Sequence, residues 1–257
     1  MIRNLWNNCK AAFAMFSRIP TPPVDWSEEN MRYMLCFFPW VGIVTGLLAL
    51  LAAGLMDRLG YQSSFSSAIL LLLPIVITGG IHVDGLLDTA DALSSWQERE
   101  KRLQILKDSH AGAFAVITAC SFFLLTYGSV TQFWQQPRLR ELMAVTFFLS
   151  RSLSGLSVVL LPKASEKGTV AQFSRQASWQ QVRNVLTVYA LAGILVMVRI
   201  HLLCGTLTGA ACLGVFALYR HIALKYFGGT SGDLAGFFLC ICEGTVAVLL
   251  AFLALIF

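Results

Sequence analysis

An all-α, polytopic membrane fold is what this sequence predicts, and three observations carry it. The 257 residues are 56% hydrophobic and only 13% charged, where a soluble domain carries about a quarter charged residues. The mean hydropathy is +0.68. Apolar runs recur along the chain at the length of about 20 residues that a helix needs to cross a bilayer. No long polar linker divides them, so residues 1–257 read as a single integral-membrane domain.

The elements follow in order. Leu5, Cys9, Ala12, Phe13 and Phe16 share one helical face with Trp6 alongside, which predicts an N-terminal helix lying in the membrane interface. It does not read as a signal peptide, because Arg18 interrupts a short apolar stretch and no small-residue cleavage site follows. Pro20, Pro22 and Pro23 end it. About seven transmembrane helices are expected after it, at 35–56, 65–80, 113–130, 142–161, 185–200, 202–220 and 236–257. The second is short and contains Pro74. The fifth and sixth form one apolar stretch that breaks near Arg199-Ile200-His201. No internal repeat is evident.

Charge orients these spans. With the N-terminus in the cytoplasm, fourteen Lys and Arg fall in inside segments: Arg3, Lys10, Arg18, Arg32, Arg99, Lys101, Arg102, Lys107, Lys163, Lys167, Arg175, Arg183, Arg220 and Lys225. Four fall outside, at Arg58, Arg138, Arg140 and Arg199, and Arg151 lies within a span. Short loops with such a bias face the cytoplasm. The net charge of +5 therefore speaks of topology and the lipid bilayer, not of nucleic acid. Seven cysteines, mostly inside apolar runs, predict small buried hydrophobes rather than a disulfide framework.

Against this apolar background stands Gly79-Gly80-Ile81-His82-Val83-Asp84-Gly85-Leu86-Leu87-Asp88-Thr89-Ala90-Asp91. On a helix, Asp84, Asp88 and Asp91 share one face. A row of packed acids has a reason if it holds a divalent cation, and hard oxygen ligands suit Mg²⁺. The alternative is a solvated acidic face, which the sparing use of charge elsewhere disfavours. Asp84 and Asp91 lie about 10 Å apart along a straight axis, too far for one ion. Two Mg²⁺ ions about 4 Å apart, bridged by a diphosphate, would suit the row. Gly79 and Gly80 permit a sharp turn and close approach of a substrate. His82 reads either as a base or as a structural histidine at a membrane boundary.

Two further elements fall on the same predicted side. Lys107-Asp108-Ser109-His110-Ala111-Gly112 offers a cation, an acid and a glycine turn for phosphate or metal, although an ordinary loop reads equally well. Gly228-Gly229-Thr230-Ser231-Gly232-Asp233-Leu234-Ala235-Gly236 leads into the last span, and such a turn presents backbone N–H groups to an anion. Asp233 is a candidate metal ligand there. Glu243 lies deeper in the same span, where an unpaired carboxylate is expensive. It reads either as functional, a further metal ligand, or as the partner of Arg151.

These three elements resemble the cobalamin synthase family (adenosylcobinamide-GDP ribazoletransferase, cobalamin-5′-phosphate synthase). The family shows Gly-Gly-x-His-x-Asp-Gly-x-x-Asp-x-x-Asp, then Lys/Arg-Asp-Ser-Arg-x-Gly, then Gly-Gly-x-Thr-Gly-Asp-x-x-Gly. The first is intact here at Gly79 to Asp91, and the others correspond to Lys107–Gly112 and Gly228–Gly236. Phe16-Ser17-Arg18-Ile19-Pro20 and Phe38-Pro39-Trp40-Val41-Gly42 look like two weaker boxes of the family. Departures stand at Ala92, His110, Ala115, Cys240 and Lys163-Ala164-Ser165-Glu166-Lys167-Gly168. A histidine grips phosphate less firmly than the planar fork of arginine.

The resemblance implies a multi-pass protein of a prokaryotic inner membrane with its active site on the cytoplasmic side. It implies attack of a hydroxyl of α-ribazole, or of its 5′-phosphate, on adenosylcobinamide-GDP with release of GMP. Asp84, Asp88 and Asp91 would hold Mg²⁺ on the diphosphate, and Asp108 and Asp233 would complete the shell. His82 or a spare carboxylate would take the proton. Gly79, Gly80, Lys107, Ser109, His110, Gly112, Gly229, Thr230, Ser231 and Gly232 would bind substrate. Partners implied are the two substrates, the bilayer, and a second copy of the chain or other cobalamin-assembly enzymes.

Rival readings are a polyprenyl-diphosphate transferase, a CDP-alcohol phosphotransferase and a divalent-cation transporter. The second wants an Ala-Arg after its Asp-Gly, which is missing here. The third would place acids near the midplane, often in repeated halves.

Overall fold

The computed structural model describes residues 2–27, 31–108, 110–165 and 178–256. The described chain is built of helices: α1 (Ile2–Phe16), α2 (Met34–Arg58), α3 (Ser63–Thr78), α4 (Ile81–Ser94), α5 (Arg99–Ile105), α6 (Ala113–Phe133), α7 (Pro137–Leu160), α8 (Trp179–Ile200), α9 (Leu202–Ile222) and α10 (Gly232–Leu253), with a π-helical turn at Ala223–Phe227. A lone parallel bridge joins Lys163 to Thr230. The chain is thus a multi-pass helical membrane protein. Six helices are long and apolar enough to cross: α2, α6, α7, α8, α9 with its π turn, and α10.

A further apolar stretch is broken in two. The 16 residues of α3 reach about 24 Å, short of a hydrocarbon core of about 30 Å. The span expected at 65–80 is therefore not a straight crossing helix. It is the first arm of a pair, α3 and α4, bent by 94°. Gly79 (φ +66°) and Gly80 (φ +81°) make the bend, in a region that costs other residues about 1–2 kcal/mol each. The Gly80 N–H closes α3 on the Ile75 carbonyl at 3.0 Å. α4 thereby leaves the crossing direction and carries its acids along one end of the bundle.

The centre of the bundle is α7, 78% buried over its apolar window against 22% for α6. Gly42 and Gly46 bring α2 so close that a methyl group on either would collide with α7 backbone at Phe147 and Ala144, as small residues allow where helices pack in lipid. The break between α8 and α9 falls where the sequence places it. His201 caps α9, its Nδ1 accepting from Cys204 N–H at 3.1 Å, and Gly205 lies against the Met197 carbonyl. All seven cysteines are free.

The N-terminal helix is tied to the bundle. Asn7 exchanges hydrogen bonds with the Asp25 backbone at 2.7 and 3.1 Å, and Asn8 Oδ1 accepts from Tyr33 N–H at 2.7 Å. Ala11 and Ala12 are buried with Met34, while Leu5 and Trp6 are exposed. The apolar face and exposed aromatic ring fit a helix lying in the interface.

At one end of the bundle Asp57 accepts from Trp134 Nε1 at 2.9 Å and from Arg140 at 2.6 Å. At the opposite end α4, the start of α6 and the start of α10 converge, and the sequence motifs meet there.

Candidate carboxylate site at one end of the bundle

Two glycines make the convergence possible. A methyl group on Gly85 of α4 would lie 2.5 Å from the Asp233 carbonyl oxygen, and one on Gly236 of α10 would lie 3.1 Å from the His82 carbonyl oxygen. The helices therefore cross with their backbones almost touching, and Asp233 joins the acidic face of α4. Leu86, Thr89, Ala90 and Ala92 bury the other faces. Burial first, then the charges of Asp84, Asp233 and Asp91, push the Asp88 carboxyl up to about 6. Half-buried and crowded by three like charges, Asp88 sits in a site short of positive charge.

The four are not equivalent. Asp84 is exposed and Asp88, Asp91 and Asp233 are half-buried. Asp91 accepts from Gly112 N–H at 2.5 Å and from Ala115 N–H at 2.8 Å, capping the N-terminus of α6 from outside. Both of its oxygens accept from backbone N–H groups, and each keeps a further lone pair.

Two other expected ligands are not brought to the cluster. Asp108 sits at the surface, where it accepts from His110 N–H at 3.0 Å and lies 2.7 Å from His110 Nδ1. These hydrogen bonds hold its carboxyl below the ordinary value. Glu243 lies about 15 Å along α10 from Asp233. It pairs with Arg151 at 2.9 Å and accepts from Ser150 Oγ at 2.8 Å. The bundle interior thus satisfies Glu243 with the one cation buried beside it, the structural role weighed for it in the sequence.

His82 lies on the first turn of α4, facing the interior rather than the acids. It lines an internal cavity of about 90 Å³ together with Arg151, Cys240 and Glu243. Its Nε2 is shielded and has no partner among the described residues.

The glycine-rich turn before α10 spends much of its backbone on itself. Gly228, Gly229 and Thr230 donate to Leu224, Ala223 and Pro162 at 3.2, 3.0 and 2.8 Å. Thr230 Oγ1 meets Tyr219 Oη at 2.7 Å. Ser231 Oγ caps α10 by accepting from Leu234 N–H at 3.2 Å. Gly229 therefore closes the turn on Ala223, and Thr230 locks it to the 162–164 segment, so neither presents its N–H to an anion. Lys107 is exposed. Ser109, Glu166, Lys167, Gly168 and Arg175 lie outside the described residues.

Beside the cluster opens a cleft of about 660 Å³. Gly79, Gly80 and Asp84 line it, together with Ser17 and Arg18 from the end of α1 and Phe123 from α6. Arg18 is the residue that reading the sequence for acids and glycines left out of the site. The signal was its place just past the interfacial helix, in the Phe16–Pro20 box.

The cluster suits a hard divalent cation in one specific way. Among the described residues no three His, Cys, Asp or Glu side chains form a ready-made cage for an ion. Asp84, Asp88 and Asp233 nevertheless crowd negative charge beside a cleft. Mg²⁺ keeps several waters and binds through one or two carboxylates plus substrate phosphates, rather than in a dedicated protein cage. An open, acid-rich edge fits that habit.

Residues 8–253 match the family model described as cobalamin-5-phosphate synthase. A protein from Lachnoclostridium phytofermentans named adenosylcobinamide-GDP ribazoletransferase is 40% identical over 245 residues, covering 94% of this chain and 90% of its own. Proteins of the same name from Listeria monocytogenes serotype 4b (strain CLIP80459) and Clostridium botulinum (strain Alaska E43) are 33% and 29% identical. The first covers 86% of this chain and 88% of its own, the second 94% and 96%. No solved structure matches. A match over nearly the whole length, with the acidic motif gathered into one site, shows that the chain belongs to the cobalamin-5-phosphate synthase family.

Proposed function

We propose that this protein is an adenosylcobinamide-GDP ribazoletransferase. It joins the cobinamide phosphate of adenosylcobinamide-GDP to α-ribazole, or to α-ribazole 5′-phosphate, and releases GMP. The observation that carries the reading is the meeting of Asp84 and Asp88 from α4 with Asp233 from α10 beside an open cleft. Phosphoryl transfer needs positioning and charge neutralisation more than a covalent intermediate, and such an edge supplies both.

Asp84, Asp88 and Asp233 would hold Mg²⁺. Bound there, the cation neutralises the diphosphate and the charge that develops on the leaving GMP. The α3–α4 bend lets the diphosphate approach the chain at Gly80, where no side chain stands in the way. The ribosyl hydroxyl attacks the cobinamide-linked phosphorus in line as the bond to the GMP oxygen breaks. Its proton passes to a carboxylate oxygen of the cluster not taken by the cation. Asp91 keeps α6 and the Gly112 turn in register with α4. The apolar bundle suits a corrinoid product retained at the membrane. The charge bias of the loops supports an active site on the cytoplasmic face of a prokaryotic inner membrane.

The test is direct. Purified protein in detergent, given adenosylcobinamide-GDP, α-ribazole and Mg²⁺, should release GMP and form adenosylcobalamin, read by mass spectrometry. A chelator should stop it. Absence of GMP with either form of the nucleoside would overturn the reading, and Mg²⁺ uptake into sealed vesicles instead would favour a transporter.

A further inference from the structure

We infer that Arg18 is a substrate-binding residue, its guanidinium gripping the phosphate oxygens of a diphosphate from the wall of the cleft that also carries Asp84. The inference rests on the proposed function for its substrate and on independent geometry for its site.

α1 is closed by Ser17, the residue after its end, whose N–H and Oγ both return to the Phe13 carbonyl, at 2.9 and 2.7 Å. The next residue is pinned to another helix: Arg18 N–H donates to the Ile77 carbonyl in the last turn of α3 at 2.7 Å. The Arg18 stem then lies across Gly79. A methyl group there would stand 2.8 Å from Arg18 Cγ and 3.1 Å from its Cδ, and would collide with Nε. The left-handed glycine of the bend is therefore also the gap through which Arg18 reaches the cleft.

Arg18 and Asp84 are the only charged side chains among the described residues lining this cleft. The ion pairs among the described residues are His110–Asp108, Arg140–Asp57 and Arg151–Glu243, and Arg18 belongs to none of them. It is an exposed cation, held by its backbone and stem, with its planar fork of donors uncommitted. A guanidinium fork matches phosphate oxygens two at a time. With an acidic edge for a cation on one side and Arg18 on the other, a diphosphate would be held from both. The interfacial helix thus becomes part of the active site.

The experiment compares wild-type protein with Arg18→Gln and Arg18→Lys in detergent. Arg18→Gln should weaken inorganic pyrophosphate binding, measured by calorimetry with Mg²⁺ present, by about ten- to a hundredfold, the range for a charge-assisted hydrogen bond. It should raise KM for adenosylcobinamide-GDP by a similar factor and leave KM for unphosphorylated α-ribazole within about twofold. Arg18→Lys keeps the stem and the charge and should fall between. Equal pyrophosphate affinity in wild type and Arg18→Gln would overturn the inference. If the wild type made no GMP, the proposed activity would fail, yet the pyrophosphate comparison would still decide Arg18.

Discussion

Asp91 takes the Gly112 N–H at 2.5 Å across the gap between α4 and α6. With Ala115 N–H at 2.8 Å on its other oxygen, this carboxylate acts as a remote cap on a membrane-spanning helix. An amide at this position has one oxygen acceptor and one nitrogen donor, so Asp91→Asn keeps one bond and turns N–H against N–H. Capping losses run to about 0.5–2 kcal/mol. Asp91→Asn should lower the thermal midpoint in detergent by that order while changing Mg²⁺ affinity little. A large loss of Mg²⁺ binding with an unchanged midpoint would make Asp91 a ligand.

Asp84 and Asp88 predict the reverse. Neither carboxylate has a protein cation beside it among the described ion pairs, and Asp88 is crowded by like charges. Asp84→Asn or Asp88→Asn should abolish GMP release while membrane insertion and thermal midpoint stay intact or improve, since repulsion falls. Asp57→Asn, at the other end of the bundle in the Trp134–Arg140 network, should leave turnover unchanged. Wild-type-like turnover in Asp84→Asn, or a large loss in Asp57→Asn, would contradict the placement of the site.

The sequence made the membrane fold legible because apolar runs of bilayer length have few other readings. It made Asp84 and Asp88 legible because acids on one helical face beside such runs are costly without a counter-charge. It did not reveal how the neighbours share those acids. Spacing puts Asp91 on the same face as Asp84, but whether its oxygens meet a cation or two N–H groups depends on where α6 begins. The double glycine announced a turn; its 94° angle, which turns a span into a bent pair, follows from two successive left-handed residues. Gly228 to Thr230 had the composition of an anion loop, yet a segment more than 60 residues earlier takes the Thr230 N–H. Arg18 stood in the Phe16–Pro20 box without a role for the same reason, since its partner in space is the distant Gly79.

The raised carboxyl of Asp88 makes the metal-free protein pH-sensitive. Its value goes from 3.8 to about 6 on folding, so the folded state binds the proton more tightly than the unfolded chain. That contribution to stability is fully present below about pH 4 and is lost as pH rises through about 6. Without Mg²⁺ the thermal midpoint should therefore fall across this window, and saturating Mg²⁺ should reduce the fall at the upper end by replacing the proton. Mg²⁺ affinity should in turn weaken as pH drops through about 6, since metal and proton compete. Asp88→Asn should flatten the midpoint profile. A profile of the same slope in that variant would assign the titration to another group.

Glu243 gives the sharpest separation of structural from metal-binding roles. It is paired with Arg151, whose side chain is 1% exposed, inside a bundle surrounded by lipid. Removing one partner of a buried pair leaves the other charge uncompensated and costs about 3–5 kcal/mol, whereas replacing both with apolar groups is often neutral. Glu243→Ala should therefore lower the thermal midpoint sharply, and Arg151→Met with Glu243→Leu should recover much of the loss. Mg²⁺ affinity, measured below the midpoint of each variant, should match wild type in both, because the pair lies deep in α7 and α10 while the acids gather at the end of the bundle. If the double variant regained stability but still failed to bind Mg²⁺, Glu243 would belong to the metal site after all.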